Sequence, residues 1–212
     1  MSIGAIVRRM LGPAEIPVLN LYRSFFVDLD VQMAQLKEWV PEADNILEIG
    51  CGEGAVAQKL AALYPRARIT GIDITPRVGR TFRGDSNRVR FACTTAGEFA
   101  AAHAGEFDLV LSCDVLHHVP WDQHASLMTD TRKLVSPGGT FVLKEWELIR
   151  NFGHLCAEFS DRILTGDNVR FGRKEYFFNL LEQSFGSGSV VGSARIRPWP
   201  NNLIIQCRSE AS

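Results

Sequence analysis

Paired cysteine is the first thing this chain lacks. Five cysteines occur, at positions 51, 93, 113, 156 and 207, and none stands in a Cys-x-x-Cys spacing. An odd, scattered set predicts neither a disulfide framework nor a zinc cluster. Thiols in strand-like apolar runs act as small hydrophobes, so a reducing, cytoplasmic setting is expected. Charge imbalance is missing too. Lys and Arg number 23 against 24 Asp and Glu, a net charge of −1, which gives no general attraction to nucleic acid. No apolar run reaches the ~18 residues of a membrane span. The opening MSIGAIVRRMLGP carries its arginines behind the apolar part, unlike a signal peptide. Internal repeats and low-complexity linkers are absent. What remains is a globular chain of 212 residues, 46% hydrophobic and 22% charged, the size of one ordinary domain.

Hydrophobic spacing then sets the order of elements. Leu21, Phe25, Leu29, Met33, Leu36 and Val40 recur at helical steps, which predicts a helix over 17–40 ending before Pro41. Strands are expected at 46–49, 68–72, 89–93, 107–112 and 140–143. Helices are expected at 55–63, 96–104, 121–134, 149–164 and 173–184. Two further strands, 189–196 and 202–207, follow one another without a helix. Short apolar strands alternating with helices predict a doubly wound, Rossmann-like α/β fold. Its seven-stranded sheet is mostly parallel and closes with an antiparallel C-terminal edge hairpin. Ligands of such sheets lie beyond the carboxyl ends of the strands. That brings the stretches GCGEG, GIDIT, 112–118 and KEW around one crevice.

The stretch ILEIGCGEGA at 46–55 raises the question of the ligand. Gly50, Gly52 and Gly54 stand where a buried strand turns into a helix, so a ligand can approach the backbone and the first helical amides. Gly50 to Ala55 also satisfies the dinucleotide pattern GxGxxA, and Asp73 falls near the distance where that pattern places its ribose-binding acid. A dinucleotide and another adenosine-bearing ligand therefore compete. Glu48 favours the second. A carboxylate inside a strand is costly unless it serves loop amides or a cation. A pyrophosphate is repelled by it, whereas an ammonium or a sulfonium is attracted.

Four stretches in order, ILEIGCGEG, GIDIT, FDLVLSCDVLHHV and LVSPGGTFVLKE, resemble the successive motifs of class I S-adenosylmethionine-dependent methyltransferases. The resemblance runs from about residue 44 to 145. It implies a single methyltransferase domain over 1–212, with 1–41 as an N-terminal helical cap and 146–172 as an acceptor-site insertion. It also implies that Glu48, Gly50, Gly52 and the backbone around Cys51 surround the methionine part of the cofactor, at the loop that Gly54 completes. Asp73 would accept from both ribose hydroxyls, Ile74 would pack on adenine, and Cys113 and Asp114 would line the amino end. One departure stands out. Where many members place an acid-alanine pair for the adenine amino group, this chain has Thr95-Ala96, and the contact falls to the Thr95 side chain or the Ala96 amide. The segment PRVGRTFRGD also lacks the usual second helix.

The expected chemistry is methyl transfer from S-adenosylmethionine to a small organic acceptor at oxygen, a hydroxyl or a carboxylate. Transfer to a hydroxyl gains from a general base. His117 and His118 follow the fourth strand, and an imidazole titrates near neutral pH. Asp114, His117, His118, Asp122 and His124 match no standard metal spacing, so no metal is expected. The acceptor pocket is expected from Tyr22 on the early helix, Glu145 and Trp146 at a central strand end, and His154 on the following helix. In that helix Phe152, Leu155, Cys156, Phe159 and Ile163 form one apolar face. Two other readings are a dinucleotide-binding oxidoreductase and a non-catalytic cofactor-binding partner subunit. The sequence leaves the oligomeric state open.

Overall fold

A computed structural model describes residues 24–160 and 169–210. In chain order the elements are α1 (Leu29–Trp39), β1 (Asn45–Ile49), α2 (Ala55–Leu63), β2 (Arg68–Asp73), β3 (Val89–Cys93), α3 (Ala96–Ala100) and β4 (Phe107–Cys113). Two 3₁₀ turns, Leu116–His118 and Trp121–Gln123, precede α4 (His124–Leu134). Then come β5 (Val135–Trp146), α5 (Phe152–Ser160), α6 (Lys174–Phe185), β6 (Val190–Arg195) and β7 (Asn202–Arg208). One seven-stranded sheet runs in the order β3-β2-β1-β4-β5-β7-β6. Strands β1 to β5 pair in parallel, and β7 is antiparallel to both β5 and β6. The expected seven strands and the antiparallel edge hairpin are therefore present. The hairpin enters inside out, with β7 against β5 and β6 at the rim. Burial follows: β7 is buried along six of its seven residues, whereas β6 alternates.

Both faces of the sheet are covered. Ile46, Leu109, Leu111, Val142 and Ile204 pack with Met33 and Leu36 of α1 and Ala57 and Leu60 of α2. Leu47, Ile49, Val110, Phe141, Leu143 and Ile205 pack on the other face with Met128 of α4 and Phe177, Leu181 and Phe185 of α6. The alternation of side chains along each strand divides the sequence between these two cores. By the same parity Glu48 and Lys144 belong to the α1–α2 face, and Glu145 to the α4–α6 face. All three lie at strand tips, where the site begins.

Several boundaries differ from the expected ones, for local reasons. Of the helix expected over 17–40, residues 17–23 lie outside the described residues. Residues 24–26 are helical, Val27 bridges to Pro198, and α1 starts afresh at Leu29, because the Asp28 carboxylate accepts from Asp30 N and Val31 N, both at 3.1 Å, and caps it. Strand β5 is longer than 140–143, since β7 pairs with it out to Trp146. Helix α3 stops at Ala100, and residues 74–88 form turns without a helix. Helix α5 inverts its expected face: Phe152, Leu155 and Phe159 are about two-thirds exposed, whereas Gly153, His154 and Ala157 are buried. Gly153 sits so close to the Trp199 indole that a Cβ there would lie 2.4 Å from it. The small side of the helix is the one that fits inward.

Candidate functional site

The site is built at the carboxyl ends of β1, β2, β4 and β5. The loop after β1 is first fastened to β2. Gly50 N and Cys51 N both donate to Ile72 O, at 2.8 and 3.1 Å. Gly50 holds φ +74°, and a Cβ there would lie 2.2 Å from Val115 Cγ2, so the loop and the segment after β4 can touch only across a glycine. Gly52 also has positive φ (+50°), but nothing lies within 4 Å of where its Cβ would be. It faces open space. Its amide donates to Asp73 Oδ2 at 2.7 Å, and Asp73 Oδ1 accepts from Thr75 N at 2.8 Å. Asp73 thus shapes both turns, and each oxygen keeps capacity for a further donor.

A cavity of about 480 Å³ opens beside this loop. It brings together Glu48, Gly50, Cys51, Gly52, Cys113, Asp114, His117, His118 and Trp146 of the expected residues. Its remaining walls come from Phe26, Val27, Leu29, Gln32, Glu53, Ala55, Val56, Lys144, Ala157 and Phe171. Gly54 lines a neighbouring hollow on the far side of the α2 start. Asp73, Ile74, Thr95 and Ala96 stand outside the cavity. Ile74 is 77% exposed. Thr95 caps α3: its hydroxyl accepts from Glu98 N and donates to Glu98 Oε2, which also accepts from Thr95 N. These bonds hold the exposed Glu98 carboxyl below the usual range. The Thr95 side chain is therefore committed to its own helix.

Glu48 is the unusual group. Its side chain is buried at the tip of β1, and Oε2 has no hydrogen-bond partner among the described residues. Burial and the negative charge of Asp73 raise its pKa to about 8, against the opposing pull of the Ala57 amide. Its carboxyl therefore holds its proton below about pH 8, and a cation entering the cavity would favour the ionised form. The same burial pushes the Cys51 and Cys113 thiols well above their ordinary range. Gln32 Nε2 donates to Cys113 Sγ at 3.2 Å. Both cysteines are walls rather than nucleophiles.

The opposite wall is fully paired. Asp114, a non-glycine residue at φ +56°, accepts two bonds from the buried Lys144 Nζ at 2.6 and 2.7 Å. Glu145 is 1% exposed. Its Oε1 accepts from Val115 N and Leu116 N at 2.8 and 2.6 Å, and its Oε2 lies 2.8 Å from His117 Nδ1. Burial alone would push this carboxyl up. His117 and the hydrogen bonds outweigh it and hold Glu145 below its ordinary range. Glu145 was expected against the acceptor; it lies instead beneath His117, as its support. Trp146 does line the cavity, and its Nε1 donates to Nδ1 of the buried His154 at 3.3 Å. His154 thus stands behind the wall rather than in it. Tyr22 lies outside the described residues. Asp114, His117 and Glu145 offer ligand atoms close enough together to hold a metal ion. Lys144 and the two amides already engage the carboxylates, which does not favour that use.

Sequence reasoning missed Lys144 and Gln32. Lys144 carries a signal, a lysine inside an otherwise apolar strand, like Glu48. Gln32 carries none, because a glutamine within an amphipathic helix is ordinary.

Residues 46–139 match the model of a methyltransferase domain family. That stretch, a little under half of the chain's 212 residues, is similar to a methyltransferase domain. The chain is 37% identical over 152 residues to the ubiquinone biosynthesis O-methyltransferase of Aromatoleum aromaticum, covering 66% of this chain and 62% of that protein. The protein of the same name from Thiobacillus denitrificans is 37% identical over 99 residues, covering 45% and 41%. The chain thus spans less than two thirds of the length of either relative. Among solved structures, the chain resembles N-methyltransferase NodS from Bradyrhizobium japonicum in complex with S-adenosyl-L-homocysteine, with a TM-score of 0.62, 24% identity and 84% of each chain covered. It also resembles human N-acetylserotonin methyltransferase in complex with S-adenosylmethionine, with a TM-score of 0.61, 20% identity, and 80% and 48% covered. The residues of this cavity fit that cofactor. An orphaned buried carboxylate oxygen, a cavity lined on one side by carboxylates and an open space at Gly52 suit a nucleoside with a cationic amino-acid end. No helix among the described residues is long and apolar enough to cross a membrane.

Proposed function

We propose that the protein methylates a hydroxyl oxygen of a small organic acceptor, with His117 as general base. The observation that carries this reading is the His117–Glu145 pair, 2.8 Å apart and buried, with the imidazole forming part of the cavity wall. Bound S-adenosylmethionine would supply a methyl group activated on a sulfonium. Glu48 would neutralise the positive charge of its amino-acid end. Gly50, Cys51 and Gly52 would lie along it, Cys113 and Asp114 would close its amino end, and Asp73 would accept from the ribose hydroxyls. Ile74 and the Ala96 amide are left for the adenine.

Glu145 remains a carboxylate and accepts a hydrogen bond from the Nδ1–H of His117, which makes Nε2 the basic nitrogen. Its two amide bonds fix the turn that carries the histidine. His117 therefore accepts the acceptor hydroxyl's proton from a held orientation, and His118, exposed with its ring centroid 4.2 Å away, completes the rim. The acceptor is a small molecule, meeting Trp146 and residues of the 146–172 segment, without nucleic acid. Oxygen as the target is supported by the printed names of the curated relatives and by a base at the cavity. Five cysteines without a paired spacing support a cytoplasmic setting.

Calorimetry with S-adenosylmethionine and NAD, followed by methyl transfer to a panel of phenols and carboxylates, tests the reading. Cofactor affinity for the sulfonium compound and turnover on hydroxyls are expected. In His117→Ala, kcat should fall by about 10²–10⁴-fold while cofactor affinity changes little. Tight NAD binding with no sulfonium binding overturns the assignment, and a fully active His117→Ala removes the base.

A further inference from the structure

A second hollow, about 470 Å³, adjoins the first at the two histidines. Besides His117 and His118, which line both cavities, its walls are Val119, Pro120, Trp121, Asp122 and Arg170. Two of these side chains, Trp121 and Arg170, form a column with Tyr176. The Trp121 ring lies on Tyr176 at 4.4 Å and 30°, and the Arg170 guanidinium sits over the Trp121 ring at 5.2 Å. The base of the column is fixed in turn. His124 Nδ1 and the Tyr176 hydroxyl are 2.7 Å apart, and His124 Nε2 lies 3.0 Å from Val119 O. Arg170 is also tied to the proposed base through the backbone, its N–H donating to His117 O at 3.2 Å.

The guanidinium has no carboxylate partner among the described residues, although it is exposed and half the chain's charges are acidic. Asp122 shares the hollow, is exposed, and forms no ion pair with it. Stacking engages the flat face of a guanidinium and leaves its N–H edge for a planar, bidentate anion. Because the column sets the orientation beforehand, little is lost in ordering the side chain when an anion arrives.

We propose that this hollow is the acceptor subsite and that it selects aromatic hydroxy acids, Arg170 taking the carboxylate while the hydroxyl meets His117. The inference rests on the methyl-transfer reading above and deepens it. The rings of His117, His118 and Trp121 give a flat-sided space for an aromatic body. The shared histidines place that body next to the donor cavity.

The probes are para-hydroxybenzoate and para-cresol, which differ in the carboxylate. Binding is measured by calorimetry with S-adenosylhomocysteine present, and turnover by methyl transfer, for the wild type, Arg170→Gln, Arg170→Lys and Trp121→Ala. Wild-type protein should prefer the acid over the cresol by about tenfold, the size of one charge-assisted contact. In Arg170→Gln that ratio should collapse toward one; Arg170→Lys should restore part of it, and Trp121→Ala should lower it. An unchanged ratio in Arg170→Gln, or a wild-type preference for the cresol, overturns the inference. Acid binding that depends on Arg170, with no turnover of either probe, counts against the methyl-transfer reading and leaves the subsite standing.

Discussion

The tip of β1, with Asp73 of β2 outside it, and the tips of β4 and β5 flank one cavity, and they treat charge in opposite ways. On the first wall Glu48 keeps an oxygen without a partner, and burial with the charge of Asp73 holds its carboxyl protonated up to about pH 8. On the second, Asp114 has Lys144, and Glu145 has two amides and His117. An unpartnered buried carboxylate costs stability until a ligand cation arrives. A paired one is already in its working arrangement and costs nothing further when the ligand binds. On the proposed reading, the first wall would supply affinity and the second a held geometry.

Breaking the paired wall should produce the largest loss. Glu145→Leu strips the acceptor from two buried amides and from His117, and about 3–5 kcal/mol of folding stability should go with it. Urea denaturation measures this, and an unchanged midpoint would falsify the role given to Glu145. Breaking the strained wall should do the opposite. A carboxyl whose folded pKa is raised stays protonated while its unfolded counterpart ionises. The folded state then holds the extra proton, and stability falls as pH rises from about 4.5 and levels above about 8. Glu48→Gln should flatten that fall and stabilise the ligand-free protein by about 1–3 kcal/mol above pH 8. It should also weaken S-adenosylmethionine binding by about tenfold or more. Calorimetry beside thermal melts separates the two effects, and a variant that loses both stability and affinity would contradict the contrast.

Lys144→Met leaves Asp114 without its cation. Asp114 is about one-third exposed, so solvent softens the loss to about 1–2 kcal/mol. Melting across a salt series tests it, since a surface pair would weaken with salt and this one should hardly respond. The smallest effect is expected away from both walls. Thr95→Ala removes the α3 cap and should lower stability by about 1 kcal/mol. If it alters cofactor affinity instead, the hydroxyl has a second task.

The sheet was legible because strand alternation and turn glycines are local signals. Glu48 stood out in the sequence for the same reason that it is strained in the fold: a charge in an apolar strand has to be explained. Glu145 was found but given the wrong neighbour. Its partners at 115–117 lie about thirty positions away, and only the register of β4 on β5 brings them together. Lys144 meets Asp114 through the same register. The pattern at 152–159 identified an apolar helical face without saying which side is covered, because periodicity gives direction around a helix and not the position of the neighbour. The break at Asp28 escaped notice because a capping aspartate also fits the polar side of a longer helix.

Trp199 Nε1 donates to Phe25 O, Asn202 Nδ2 donates to Phe26 O, and Phe26 rests against Trp146 at the cavity. The roof of the chamber is thus stitched to the last hairpin, far from any recognisable signature. Excising the stretch that carries all the motifs would yield a fragment with the right words and no room to use them.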